Sequence, residues 1–136
     1  MRFILIPVLM CGVVLLVSSC ATVPTGPLAS GEMRLLSIEV PGGESLVSNM
    51  FYGAHVIFES EDKPEVKRAC FKWSGDGPYC FEVKDVNYGS PGYFTVWLRT
   101  VNNSGSYMLE CYAQYTRDGG TRLTNVISTQ VSVIHR

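Results

Sequence analysis

Thiols are the most reactive groups in this chain, and their placement decides which chemistry is open to it. Of the five cysteines, Cys11 lies inside an apolar N-terminal run, Cys20 ends that run, and Cys70, Cys80 and Cys111 fall in the remaining chain. A thiolate nucleophile or a metal centre needs imidazole or carboxylate partners held beside it. Only His55 and His135 exist, and neither is spaced to join the three later thiols. A lone strand histidine such as His55 reads as a surface residue. There is no Gly-x-Ser-x-Gly elbow, His-Glu-x-x-His pair, phosphate loop or EF-hand loop. Glu59, Glu61, Asp62 and Glu65 cluster, but Lys63, Lys67 and Arg68 are interleaved with them. That mixture reads as a solvated loop and not as a calcium cradle. The expectation is a protein that is not an enzyme, with no catalytic residues, no metal and no cofactor.

Cys20 carries a different chemistry. Arg2 supplies a short positive start, Phe3 to Val17 form a 15-residue apolar run, and Ser18 and Ser19 precede the cysteine. Charge, apolar run and small residues in that order are the layout of a cleaved export signal. The run is broken by Pro7 and Gly12 and falls short of the about 20 apolar residues needed to span a bilayer. The sequence Leu16-Val17-Ser18-Ser19-Cys20 resembles the lipobox of bacterial lipoproteins. The resemblance implies a signal peptide over residues 1–19, acyl chains on Cys20 as the new N-terminus, and attachment to a membrane through those chains. Ala21, standing where an Asp favours inner-membrane retention in enterobacterial lipoproteins, implies the outer membrane of a bacterial cell envelope. Residues 20–32, rich in Pro, Gly, Ser and Thr, read as a flexible tether. Stretched at about 3.3 Å per residue, it would hold a domain roughly 40 Å from the bilayer.

Beyond residue 19 the chain carries 10 Lys and Arg against 12 Asp and Glu, a net charge of −2. No basic stripe is present, which argues against nucleic acid as a partner and against membrane binding by charge alone. By length this is one domain, with one modest core.

From Met33 to the C-terminus (residues 33–136) the pattern is all-β. Runs of Val, Ile, Phe, Tyr and Thr alternate with turn clusters such as Pro41-Gly42-Gly43, Ser74-Gly75-Asp76-Gly77, Ser90-Pro91-Gly92 and Asp118-Gly119-Gly120. Strands are predicted near 33–40, 52–60, 66–73, 79–86, 93–101, 106–116 and 122–134, with a short extra piece at 45–49. About seven strands at this spacing predict a two-sheet antiparallel sandwich. Alternation then assigns faces. Ala54, Val56 and Phe58; Ala69, Phe71 and Trp73; Tyr79, Phe81 and Val83; Phe94, Val96 and Leu98; and Tyr107, Leu109, Cys111 and Ala113 form the predicted core.

Trp73 on the third strand, and Gly105-Ser106-Tyr107-Met108-Leu109-Glu110-Cys111 entering the sixth, resemble an immunoglobulin-like domain. The second strand has Val56 or Phe58 where the usual inter-sheet cysteine would be. Leu109 replaces the corner tyrosine two residues before Cys111, with Tyr107 two places further back.

Parity also sorts the thiols. An oxidising compartment favours closure of paired thiols. Pairing Cys70 with Cys80 across the Ser74-Gly75-Asp76 turn sets Phe71 opposite Tyr79 and Ala69 opposite Phe81, core on core. A Cys70–Cys80 disulfide on the outer face is therefore expected, with Cys111 a small buried hydrophobe. Cys70–Cys111 and Cys80–Cys111 are the competing pairs, and face parity counts against each.

The remaining signal is aromatic. Tyr93 and Trp97 fall on the outer face of the fifth strand and Tyr112 on the outer face of the sixth. Neighbouring second and fifth strands in an immunoglobulin-like sandwich would set Trp97 near His55 and Ile57. An outward aromatic patch is a protein anchor or a glycan platform. The expected function is a membrane-tethered, non-enzymatic interaction module that docks another envelope protein by a sheet face or edge. The alternative is a carbohydrate-binding module for peptidoglycan or a surface polysaccharide.

Overall fold

A computed structural model describes residues 23–40 and 45–135; the expected signal peptide, Cys20 and the Pro41-Gly42-Gly43 turn lie outside the described residues. Among the described residues nine strands are formed: β1 (Met33–Glu39), β2 (Ser45–Val47), β3 (Phe51–Ser60), β4 (Glu65–Trp73), β5 (Asp76–Glu82), β6 (Gly92–Arg99), β7 (Gly105–Arg117), β8 (Gly120–Leu123) and β9 (Ile127–Ile134). They build a three-stranded sheet in the order β1-β3-β6 and a larger sheet in the order β2-β9-β7-β4-β5, with β8 also on β7. The chain changes sheet between β1 and β2, β2 and β3, β3 and β4, β5 and β6, and β6 and β7, so that β3 pairs with β6 in one sheet and β4 with β7 in the other, the connectivity of an immunoglobulin-like sandwich.

The period of two decides which residues go inside. Along β6, Phe94, Val96 and Leu98 are buried while Tyr93, Thr95, Trp97 and Arg99 are exposed. Phe58, Phe71, Phe94, Leu35, Leu46, Leu98 and Leu109 are the largest fully enclosed side chains, drawn from both sheets. Of the predicted core, Tyr79 does not belong: it sits half exposed at the sandwich margin, for a reason given below.

The stretch expected as one strand at 122–134 is two. β8 pairs with the end of β7 (Gln114–Arg117) and β9 with its beginning (Gly105–Cys111). At the break, Thr124 keeps the ladder intact with its hydroxyl, which accepts from Ala113 N at 2.9 Å while Thr124 N donates to Ala113 O at 2.9 Å. Asn125 turns to the other sheet: Leu35 N donates to its Oδ1 at 2.8 Å, and its Nδ2 donates to Leu35 O at 2.9 Å. The pairing of β1 with β3 slips by one residue between Leu35 and Ser37, at the same point. The extra piece at 45–49 is β2, which pairs in parallel with β9 and buries Leu46, so the sandwich is not wholly antiparallel.

The described part of the expected tether, residues 23–32, lies against the domain. Val23 packs on the core, Gly26 O accepts from Arg34 Nη1 at 3.0 Å, and Glu61 N donates to Glu32 O at 3.0 Å. Arg34 is the reason. Its side chain is almost wholly buried, and a buried guanidinium must find acceptors. Glu59 at 3.0 Å and the carbonyl of Gly26 supply them.

Cys70 and Cys80 form the disulfide, in the register Phe71↔Tyr79 and Ala69↔Phe81. Cys111 is a free buried thiol, and burial pushes its pKa up to about 12.

Two outcomes follow from these contacts. Asn125→Ala leaves the Leu35 amide and carbonyl without partners, and should lower unfolding free energy by about 2–3 kcal/mol in urea titrations, whereas Val126→Ala stays within about 0.5. Cys111 stays neutral in the fold above the 9.0 at which a free thiol ionises. The stabilisation it gives is full below that pH and is lost as pH rises from 9.0 towards about 12. Cys111→Ala should flatten that part of the alkaline decline, read as urea midpoints below and above pH 9.0.

Candidate functional site: an aromatic face beside an open sheet edge

The outer face of the three-stranded sheet brings together three of the four sequence-predicted surface residues. β3 and β6 pair with Gly53 opposite Trp97, His55 opposite Thr95 and Ile57 opposite Tyr93. His55 and Tyr93 stack with ring centroids 5.6 Å apart at an interplanar angle of 28°. Trp97 is 65% exposed and lies across Gly53, where an added Cβ would sit 3.8 Å from the indole. That is ordinary van der Waals distance, so the position would accept a small side chain beside the ring. Phe51, 59% exposed and opposite Arg99, extends the face. Tyr112 is not part of it. It is half-buried on β7 of the other sheet, beside Cys70.

The edge next to this face is open. Tyr93 exchanges both backbone hydrogen bonds with Asn87, each 2.9 Å, on the side of β6 away from β3. Thr100 N, by contrast, bonds Met50 O towards β3. Backbone groups alternate sides along a strand. Thr95, Trp97 and Arg99 therefore point their N–H and C=O groups off the edge of the sheet, where no strand pairs among the described residues. The connection from β5 begins to cover this edge at Asn87, but it comes from the other sheet by way of Asp85, whose φ is 53°.

The larger sheet projects past this edge, and a cleft runs between β5 and β6. One part, about 560 Å³, is walled by Phe71, Trp73, Tyr79, Phe81, Leu98 and Tyr107. A second part, about 710 Å³, continues along β6 past Thr95, Val96 and Trp97, and Phe81 lines both. Tyr79 is 50% exposed, and among the described residues no strand pairs beyond β6 to cover it. Its hydroxyl donates to Asp76 at 3.1 Å, and its pKa is raised by that hydrogen bond, then by the Asp76 charge and then by burial. Trp73 meets Tyr107 edge-on at 6.1 Å, and Tyr107 donates to Asn103 O at 2.8 Å, which holds the 100–103 loop at the mouth. Thr100 fixes the other side of that loop by donating to Val47 O at 2.7 Å. Among the described residues no group of three or more His, Cys, Asp or Glu could hold a metal ion.

These features define an immunoglobulin-like sandwich with one uncovered edge, an adjoining aromatic face and, behind it, a cleft with an aromatic wall and a polar rim. No known protein family matches the chain, and no curated protein matches it. Among solved structures it is similar to the CARDB domain of the PF1109 protein of Pyrococcus furiosus, described in complex with di-metal ions. That similarity has 14% identity and a TM-score of 0.45, and covers 77% of this chain and 94% of that one.

The two tryptophans should separate surface from core. Trp73→Ala removes a buried ring and should cost about 3–5 kcal/mol, whereas Trp97→Ala should cost under about 1, both read by thermal unfolding.

Proposed function

We propose that this protein is a lipid-anchored, non-enzymatic binding module of a bacterial envelope, and that it docks another envelope protein through the β6 edge and the outer face beside it. The observation that carries this reading is the coincidence of unpaired backbone at Thr95, Trp97 and Arg99 with the exposed rings of Trp97, Tyr93 and Phe51. Exposed aromatics beside an uncapped strand are costly to leave in water unless something covers them. The lipobox-like sequence ending at Cys20 supports the anchor, and Ala21 the outer membrane. A second reading, a carbohydrate-binding module, is favoured by the exposed indole of Trp97 across Gly53 next to the stacked His55–Tyr93 pair, aromatic rings of the kind that cover a sugar face.

Cys20→Ser should release the protein from membranes, since the domain has no basic surface to hold it there; sedimentation after a high-salt wash reads this. Retention of the Cys20→Ser protein on washed membranes overturns the anchor. Trp97→Ala should abolish crosslinking to a protein partner in intact cells. Loss of binding to purified peptidoglycan instead, with protein crosslinks unchanged, moves the assignment to the carbohydrate reading.

A further inference from the structure

We infer that the β6 edge is a vacant strand position, filled by an extended peptide segment of the partner that pairs with Thr95, Trp97 and Arg99 and lowers alternate apolar side chains into the cleft. This rests on the docking reading above and makes it specific.

The argument begins with the unequal widths of the two sheets. The larger sheet runs β2-β9-β7-β4-β5, while the smaller stops at β6, so among the described residues no strand pairs beyond β6 on the side of β5. Tyr79 and Phe81, on the inner side of β5, line open space where an opposing strand would otherwise lie. A strand added to β6 would stand about 4.8 Å beyond it, over β5. The chain itself starts such a strand at the Asn87–Tyr93 bridge and then leaves, because residue 85 must turn away to reach β5. The vacancy thus begins at Thr95 and ends at Arg99, five residues along.

Its chemistry specifies the occupant. Six backbone groups at alternate residues match only another extended polypeptide backbone. Residues directly opposite Thr95, Trp97 and Arg99 share their outward face, whereas those opposite Val96 and Leu98 point into the cleft. The inward pair meets Phe81 and the Phe71–Trp73 wall, which favours apolar side chains there, with the polar groups of the cleft at its rim. The outward residue opposite Arg99 meets a guanidinium that forms no ion pair among the described residues, which favours an acidic side chain there. A second copy of this chain is a poor occupant. Its β6 has already committed Phe94, Val96 and Leu98 to its own core and has no inward side chains to spare. A sugar has no repeating donor and acceptor at strand spacing.

The probe is the synthetic peptide Glu-Val-Thr-Val-Thr, extended by two Ser residues at each end, which pairs antiparallel to β6 with Glu opposite Arg99. The exchanged-parity control, Glu-Thr-Val-Val-Thr with the same Ser ends, has the same composition but places one Val on each face in every register. Amide hydrogen exchange on the full chain in detergent is the readout. In the free protein, Thr95, Trp97 and Arg99 amides should exchange fast and Phe94, Val96 and Leu98 amides slowly. The peptide should slow the first set selectively, and the exchanged-parity control should bind about tenfold more weakly. Thr95→Pro blocks the edge without removing a ladder bond to β3, and should abolish the protection, whereas Thr95→Ala should keep it. Equal effects of both peptides, no change at Thr95, Trp97 and Arg99, or protection surviving in Thr95→Pro overturns the strand assignment. Protection that instead rises with protein concentration alone assigns the edge to a second copy and overturns it equally. The docking reading fails separately: it falls if intact cells yield no Trp97-dependent protein crosslink, whatever the peptide does.

Discussion

The two sheets are joined at Asn125, and much of the architecture follows from that one side chain. An amide that donates to one carbonyl and accepts from one N–H can stand in for a single residue of a strand. Asn125 does this for Leu35, so β1 keeps that residue's backbone satisfied although no strand pairs with its outer edge among the described residues. To reach Leu35 the return strand must leave β7 for a moment, which is why it is split into β8 and β9. Thr124 makes the departure tolerable by replacing a lost backbone acceptor with its hydroxyl. The β1 side of the sandwich is thereby pinned at mid-strand to the other sheet.

The opposite side has no such device. There the chain passes from β5 to β6 over one end of the sandwich, packed by Tyr88 against Phe58 and held by the Tyr88 hydroxyl on Pro64 O. Gly92 completes that end: a Cβ on it would come within 2.6 Å of the Phe58 ring. Packing this tight leaves the crossing segment no slack to extend further along β6. Closure at one end and exposure along the rest are two results of the same short connection.

Alternation carried most of the fold, because a residue's face follows from parity once a strand is located. Phe94, Val96 and Leu98, the Cys70–Cys80 pairing, and the adjacency of Trp97 to the His55 strand could all be read that way. Tyr79 could not. Its parity is that of a core residue, and its exposure depends on how many strands the facing sheet has, a quantity that no local pattern contains. The break at Thr124-Asn125 was hidden for a related reason: polar residues at a strand's centre read as an outer face unless their distant partner is known. The packing of residues 23–32 had a signal in Arg34, a charge among buried neighbours that needs acceptors from somewhere. For the candidate site, Tyr93, His55 and Trp97 were legible as outward aromatics, whereas Gly53 gains meaning only from the ring above it and Tyr112 faces away on the other sheet.

The disulfide lies in the hairpin of β5, the strand that forms the far wall of the cleft and is paired on one side only. Edge strands are the first part of a sheet to open. A covalent tie at mid-strand removes that freedom, and it exists only where thiols are oxidised. In a reducing compartment β5 is held by hydrogen bonds to β4 alone, and the cleft has one firm wall and one that opens. Oxidation makes both walls firm. Reduced chain therefore presents a cleft with one loosened wall, and the same covalent bond that steadies the hairpin limits the conditions under which the cleft is complete.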